Sequence, residues 1–102
     1  MYKLILTELA YQDLDKIVSY IAEELANPIA AGDFLDEVDK CYAYLKSNPL
    51  MYAKCQDVRL ESEGYRKAVI KNYLLVYKVT ESNKTVRVRR FFYGAQDYLN
   101  LI

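Results

Sequence analysis

Residues 65–93 read YRKAVIKNYLLVYKVTESNKTVRVRRFFY, and this stretch decides the fold. Three runs rich in valine, tyrosine and phenylalanine are separated by short polar segments, which is typical of β-strands. The predicted strands are Tyr65–Lys71, Tyr73–Thr80 and Thr85–Tyr93, with Ser82-Asn83 in the second turn. Because both turns are short, consecutive strands are expected to pair antiparallel. The middle run is the most apolar, which predicts a central position in the sheet.

The third predicted strand carries three arginines. Strict alternation assigns its residues to two faces: Val86, Val88, Arg90 and Phe92 to one, and Arg87, Arg89, Phe91 and Tyr93 to the other. The alternation therefore predicts that the three arginines do not form a single patch.

Two helices are predicted upstream, after a short strand over residues 2–6. Thr7 is a suitable N-cap for a helix that continues to about Ala26, and Asn27-Pro28 caps a second helix that continues to about Lys46. The first helix has one apolar stripe: Ala10, Leu14, Ile17, Ile21 and Leu25. The second is predicted to bury Ala31, Phe34, Leu35, Val38, Tyr42 and Leu45. The acids off the first stripe are predicted to be solvated: Glu8, Asp13, Asp15, Glu23 and Glu24.

The order of these elements predicts the fold class. A very short turn between helices gives an antiparallel hairpin, and the segment 50–63 is expected to be a connector with an irregular strand at residues 57–60. The expectation is a single α+β domain over residues 1–102, in the order β-α-α-β-β-β. The N-terminal strand and helical hairpin pack on one face of a twisted, mainly antiparallel sheet, and the other face is open.

Composition excludes several classes of function. The 102 residues are 53% apolar and 27% charged, a soluble balance without an apolar run long enough to cross a bilayer. Histidine is absent, which excludes His-dependent catalytic triads and makes a zinc site improbable. Cys41 and Cys55 are expected to be reduced thiols of a cytoplasmic protein. No metal or organic cofactor is expected.

Charge is unevenly divided between the two halves of the chain. Residues 1–50 carry four lysines and nine acids, whereas residues 51–102 carry ten lysines and arginines and five acids. This asymmetry predicts one acidic and one basic surface on a neutral molecule. A basic surface suits nucleic acid or an acidic protein segment, although the overall pI of about 6.2 is low for a nucleic-acid-binding domain.

Three segments together resemble a known family. ELANPIAAGDFLDEV (residues 24–38), GYRKAVIKNYLLVYKV (64–79) and RRFFYGAQDY (89–98) are similar to the RelE/ParE superfamily of toxins from type II toxin–antitoxin systems. The likeness covers essentially the whole chain, and the fold predicted from periodicity agrees with that of the superfamily. The resemblance implies a bacterial, cytoplasmic, growth-inhibiting toxin, of the kind associated with plasmid stabilization, that a cognate antitoxin holds inactive. No membrane partner is implied, and self-association is left open.

The resemblance leaves the mechanism open between two modes. RelE-like members cleave ribosome-bound mRNA, which requires a base for a ribose 2′-hydroxyl, cations for the phosphate and an acid for the leaving oxygen. On this sequence the nuclease candidates are Arg66, Lys67, Tyr93 and Tyr98. Two expected basic positions hold Leu74 and Ala95 instead, which favours a ParE-like mode directed at DNA gyrase. An attenuated binding module without toxicity is a further alternative.

Four cations are candidates for contact with the antitoxin or the target: Lys71, Arg87, Arg89 and Arg90. Arginine suits such contacts because its planar guanidinium is always charged. The alternative is that these side chains are ordinary solvated residues of strands and turns, and the sequence does not decide between the two.

Overall fold

The computed structural model describes residues 1–55 and 57–94. Its helices are α1 (Glu8–Ser19), α2 (Pro28–Ser47) and α3 (Val58–Ser62), and its strands are β1 (Lys3–Leu6), β2 (Tyr65–Ile70), β3 (Tyr73–Thr80) and β4 (Thr85–Tyr93). A π-helical turn, Tyr20–Glu24, follows α1, and 3₁₀ turns cover Pro49–Met51 and Glu81–Asn83.

The four strands form one mixed sheet in the order β1-β4-β3-β2. The pairs β2/β3 and β3/β4 are antiparallel, and β1 is parallel to β4 at the edge. The helical hairpin lies on one face, where residues of α1, α2 and all four strands share the main core. The predicted α+β architecture is therefore confirmed.

The three C-terminal strands lie where the sequence predicts them. The bounds of β3 and β4 agree with the prediction, and β2 ends at Ile70, one residue earlier than predicted. The reason is that Lys71 has a φ of 56° in the tight turn before β3. Ser82 and Asn83 lie in the predicted turn, which ends at Lys84 with a φ of 51°.

Both predicted helix caps are formed. The Thr7 hydroxyl accepts a hydrogen bond from the Ala10 N–H at 3.1 Å, and the Asn27 side chain accepts one from the Ala30 N–H at 3.1 Å. Each cap satisfies an N–H that the first helical turn leaves without a partner. No helix in the described part of the chain has the length and apolar composition needed to cross a membrane.

Two predicted core positions are wrong. Leu25 is 55% exposed because the π-helical turn before it adds a residue per turn and rotates the following side chain away from the stripe. In α2, Leu35 is exposed while Cys41 is buried, so the buried stripe is Ala31, Phe34, Val38, Cys41 and Leu45. Cys41 and Cys55 are both buried free thiols.

The connector contains a helix instead of the predicted irregular strand. Asp57 caps α3 by accepting a hydrogen bond from the Leu60 N–H at 3.1 Å. Leu60 is fully buried and forms a second cluster with Cys55, Tyr65, Val76 and Phe92. These residues lie on the sheet face opposite the main core, so that face is partly covered and the expectation of a fully open face is wrong.

Candidate interaction surface

A β-bulge in β4 changes which side chains share a face. Tyr77 pairs with Val88, but its neighbour Val76 pairs with Arg90, so the intervening Arg89 has no opposite residue on β3. One extra residue resets the alternation of a strand. Past the bulge, Phe91 belongs to the main core beneath the helices, and Phe92 belongs to the second cluster on the other face.

The predicted separation of the arginines is therefore wrong. Arg87 pairs with Lys78 and Arg90 pairs with Val76, so both have the register of the face opposite the helices. The Arg89 guanidinium carbon lies 5.7 Å from the centre of the Tyr65 ring, which belongs to the second cluster on that same face. The bulge thus brings all three arginines to one side of the sheet.

Arg90 is nevertheless tied to the helical layer. Its Nε lies 2.7 Å from Asp13 Oδ2, and its Nη2 lies 3.1 Å from Asp13 Oδ1. The same carboxylate accepts a hydrogen bond from the Phe91 N–H at 3.1 Å. Paired hydrogen bonds of this kind are strong and directional, and they raise the pKa of Arg90 above its ordinary value.

Thr7 and Asp13 together close an edge of the sheet. The parallel pairing of β1 with β4 ends at Val88, so past Val88 the edge of β4 that faces away from β3 has no neighbouring strand. The Thr7 hydroxyl donates to the Arg89 carbonyl at 2.7 Å, and Asp13 accepts from the next N–H. Edge backbone groups need such partners, so α1 replaces the missing strand.

Asp13 has a structural role that the sequence does not predict. It was predicted to be solvated, yet its side chain is only 13% exposed. A signal was present in the spacing, because Asp13 lies three residues after Ala10 and four before Ile17, both on the apolar stripe. An acid at such a position is placed to meet a cation of the sheet.

Apart from Arg66 and Arg90, the cations of β2, β3 and β4 form what we call the basic face: Lys67, Lys78, Arg87 and Arg89. Lys78 and Arg87 are directly opposite each other, and the Lys78 ammonium lies 5.3 Å from the centre of the Tyr65 ring. None of the four strands contains an acid. Like charges in opposite positions destabilise a sheet, so the pairing of Lys78 with Arg87 does not contribute to the stability of the sheet.

The structure does not bring together the three nuclease candidates that it describes, Arg66, Lys67 and Tyr93. Arg66 has the register of the helix-side face, opposite Tyr77, whereas Lys67 has the register of the other face, opposite Val76. Tyr93 pairs with Tyr73, four positions along β3 from Tyr77, which corresponds to about 13 Å. Tyr98 and Ala95 lie outside the described residues.

Arg66 serves to hold the connector. Its Nη1 donates to the Tyr52 carbonyl at 2.6 Å and to the Leu50 carbonyl at 3.4 Å. The neighbouring Tyr77 hydroxyl donates to the Pro49 carbonyl. These contacts fix the chain between α2 and α3 against the sheet.

Tyr93 borders a groove at the end of the sheet. Its ring is half exposed and contacts Tyr73 edge to face, with 5.7 Å between the ring centres. The groove has a volume of about 510 Å³, and Lys16, Ile17 and Tyr20 line its other side. Lys71 is exposed at the β2–β3 turn and lines a separate depression next to Tyr73.

The buried Tyr77 and the partly buried Tyr52 and Tyr73 are poorly suited to remove a proton. Burial, with a hydrogen bond to Cys41 as the next cause, raises the pKa of Tyr52 to about 12. Burial also raises the pKa of Tyr73 and Tyr77. A general base needs a pKa near the working pH, so these hydroxyls remain protonated at neutral pH. Residues 1–55 and 57–94 contain no cluster of three His, Cys, Asp or Glu side chains that could hold a metal.

Comparison with known families decides the class of the protein. A family model described as "ParE toxin of type II toxin-antitoxin system, parDE" matches residues 4–98. The chain belongs to the ParE toxin family. It is therefore the toxin of a type II toxin–antitoxin system, whose partner is an antitoxin. No curated protein gives a significant match.

Solved structures show that the fold is shared across the wider superfamily. The chromosomal ParDE system of P. aeruginosa matches with a TM-score of 0.71 at 19% identity, over 91% of this chain and 96% of that chain. The RelBE2 complex of Mycobacterium tuberculosis matches with a TM-score of 0.64 at 20% identity, over 90% of this chain and 96% of that chain. The E. coli RelBE complex matches with a TM-score of 0.62 at 19% identity, over 94% of this chain and 100% of that chain. The structural similarity thus includes ParE-named and RelE-named toxins alike.

Proposed function

We propose that this toxin is a single cytoplasmic domain that inhibits growth by a ParE-like mode directed at DNA gyrase, without nuclease activity. The observation that carries the proposal is the dispersal of the nuclease candidates. Arg66 and Tyr93 have the register of one sheet face, about 13 Å apart along the strands, and Lys67 has the register of the other. Phosphodiester cleavage requires these groups around one phosphate.

The local surroundings of Arg66 support the proposal. Its guanidinium is engaged by two backbone carbonyls of the connector. Redirecting it toward a phosphate would leave those carbonyls without their donor, at a cost of about 1–3 kcal/mol if they stay buried. In this structure Arg66 has an architectural role.

The position of Leu74 supports the same conclusion. Leu74 lies between Val69 and Phe92 in the register of the sheet, so an apolar row occupies the end of the face opposite the helices. Apolar side chains there provide neither charge for a phosphate nor a group for proton transfer. Such a surface is better suited to contact with a protein.

We propose that the antitoxin, or the target, contacts the basic face through an acidic segment. Arg87 is exposed on this face, and Arg89 lies next to it at the bulge. Opposite charges across an interface accelerate association and select the partner. The other two candidates, Lys71 and Arg90, have weaker support, because Lys71 lies in a turn and Arg90 is bound to Asp13.

Two assays on the same purified toxin test the proposal. We expect the toxin to inhibit supercoiling by gyrase and to leave mRNA intact in a translating extract. Addition of the cognate antitoxin should restore supercoiling. Discrete cleavage of ribosome-bound mRNA, with supercoiling unchanged, would contradict the gyrase mode.

The second candidate function is a RelE-like ribonuclease, which the acid-free composition of the strands favours because phosphate contacts need cations. It predicts that Arg66→Lys, which keeps the charge but loses the planar fork, lowers mRNA cleavage by roughly 10²-fold. Arg59→Lys, an exposed change on α3, is the matched control. If neither assay responds and induction of the chain leaves growth unaffected, the protein is an attenuated binding module.

A further inference from the structure

The molecule separates its charges between two layers. The helical layer, residues 8–47, contains nine acids and three lysines. The strands contain cations and no acids. Since the two layers cover opposite sides of the molecule, its neutral total charge conceals an acidic helical side and a cation-rich sheet side, where the acids Asp57, Glu61 and Glu63 belong to α3 and the residues next to it.

The basic side has charges that no ion pair within the described residues neutralises. Lys78 and Arg87 are directly opposite each other on adjacent strands, and neither forms an ion pair within residues 1–55 and 57–94. Arg89 adds a third cation beside the Tyr65 ring. A cluster of like charges of this kind attracts anionic groups from another molecule.

The acidic side has a matching arrangement on α2. Asp33 and Asp36 are both exposed, and residues three apart are neighbours on a helix surface. Neither forms an ion pair within the described part of the chain, whereas the adjacent Glu37 is paired with Lys40 at 3.2 Å. Asp33 and Asp36 are therefore available to cations of a second molecule.

From these two surfaces we infer that copies of the free toxin associate head to tail, with the basic face of one copy on the Asp33–Asp36 surface of the next. The inference is independent of the growth-inhibiting mechanism. A molecule without net charge lacks the overall repulsion that keeps highly charged proteins apart. Because the two surfaces differ and lie on opposite sides, each added copy presents a new free surface, and the assembly is open rather than a closed dimer.

Salt dependence gives the first test, by sedimentation velocity of the purified free toxin. In about 0.01 M salt, where charges interact over roughly 30 Å, we expect the average mass to exceed the 11.9 kDa monomer and to rise with concentration. In about 1 M salt, where the range is roughly 3 Å, the monomer should return. A toxin that stays monomeric in about 0.01 M salt at every concentration would overturn the inference.

Charge reversal identifies the surfaces. Lys78→Glu with Arg87→Glu makes both sides acidic, and Asp33→Lys with Asp36→Lys makes both sides basic. Each double variant alone should stay monomeric in low salt, whereas an equal mixture should associate, because each offers the surface that the other lacks. Lys16→Glu with Lys46→Glu is the matched control, since it changes the net charge by the same amount as Lys78→Glu with Arg87→Glu, at helix positions outside both surfaces, and should still associate.

Three results would contradict the inference. The first is that either double variant associates alone as the wild type does. The second is that the mixture stays monomeric although circular dichroism shows both variants folded. The third is that the wild type binds a duplex DNA or RNA oligonucleotide in low salt but does not self-associate, which would assign the basic face to nucleic acid.

Discussion

The sheet face beneath α1 and α2 follows a regular alternation, whereas the opposite face is assembled from a bulge, a short helix and a partial apolar cluster. On the first face, Leu75, Tyr77 and Val88 are fully buried against helices whose stripes are visible in the sequence. On the second, charged and apolar residues share the surface and the burial depends on the connector. Periodicity therefore predicts the face beneath the helices well and the opposite face poorly.

The largest effect on stability is expected at Leu75, and the comparison is its neighbour Leu74 on the opposite face of the sheet. Leu75→Ala removes a fully buried side chain from the main core and should lower the free energy of unfolding by about 3–4 kcal/mol. Leu74→Ala, on the partly covered face, should cost about 1 kcal/mol. Urea denaturation measures both. Equal losses would show that the two faces contribute equally to stability.

The second comparison concerns α3, which covers part of the sheet face opposite α1 and α2. Leu60 is fully buried within the second cluster, so Leu60→Ala should cost about 2–3 kcal/mol. Val58→Ala is the control, because Val58 lies on the same helix and is 82% exposed. A loss for Leu60→Ala no larger than for Val58→Ala would mean that α3 packs only loosely on the sheet.

The third comparison concerns the ion pair between the layers. Asp13→Ala would leave the Arg90 guanidinium and the Phe91 N–H without this carboxylate, which should cost about 2 kcal/mol. Asp15→Ala, an exposed change on the same helix, should alter stability by less than about 0.5 kcal/mol.

Hydrogen exchange locates the effect of Asp13. We expect the Phe91 N–H to exchange faster in Asp13→Ala, while the N–H groups of β2 keep their protection at denaturant concentrations well below the unfolding transition. Unchanged exchange at Phe91 would show that the edge of β4 does not depend on α1.

The sequence predicts the features that rest on local patterns. The bounds of β3 and β4 and the caps at Thr7 and Asn27 follow from turn chemistry and side-chain spacing, and all are confirmed. The bulge at Arg89 is not predictable in this way, because it depends on register against β3 and on an edge that α1 closes from a distant part of the chain.

The candidate site was predicted less well than the fold for the same reason. Alternation separates Arg90 from Arg87 and Arg89, yet one unpaired residue at the bulge brings all three to the same side of the sheet. Arg66 donates a hydrogen bond to a carbonyl of the connector, and no pattern in the sequence predicts that contact. A site formed by long-range pairing is therefore visible only once the register is known.

The smallest expected effect is the alkaline stability associated with Tyr52, on the side of the main core. Its pKa is raised from an ordinary value of 10 to about 12, so the folded state retains a proton that the unfolded state releases. The stabilising contribution is complete below about pH 10 and is lost as the pH rises toward about 12. Tyr52→Phe should flatten the decline of the urea midpoint between about pH 10 and about pH 12, and the exposed Tyr44→Phe should retain it. Parallel declines in all three proteins would show that Tyr52 does not contribute to the alkaline loss.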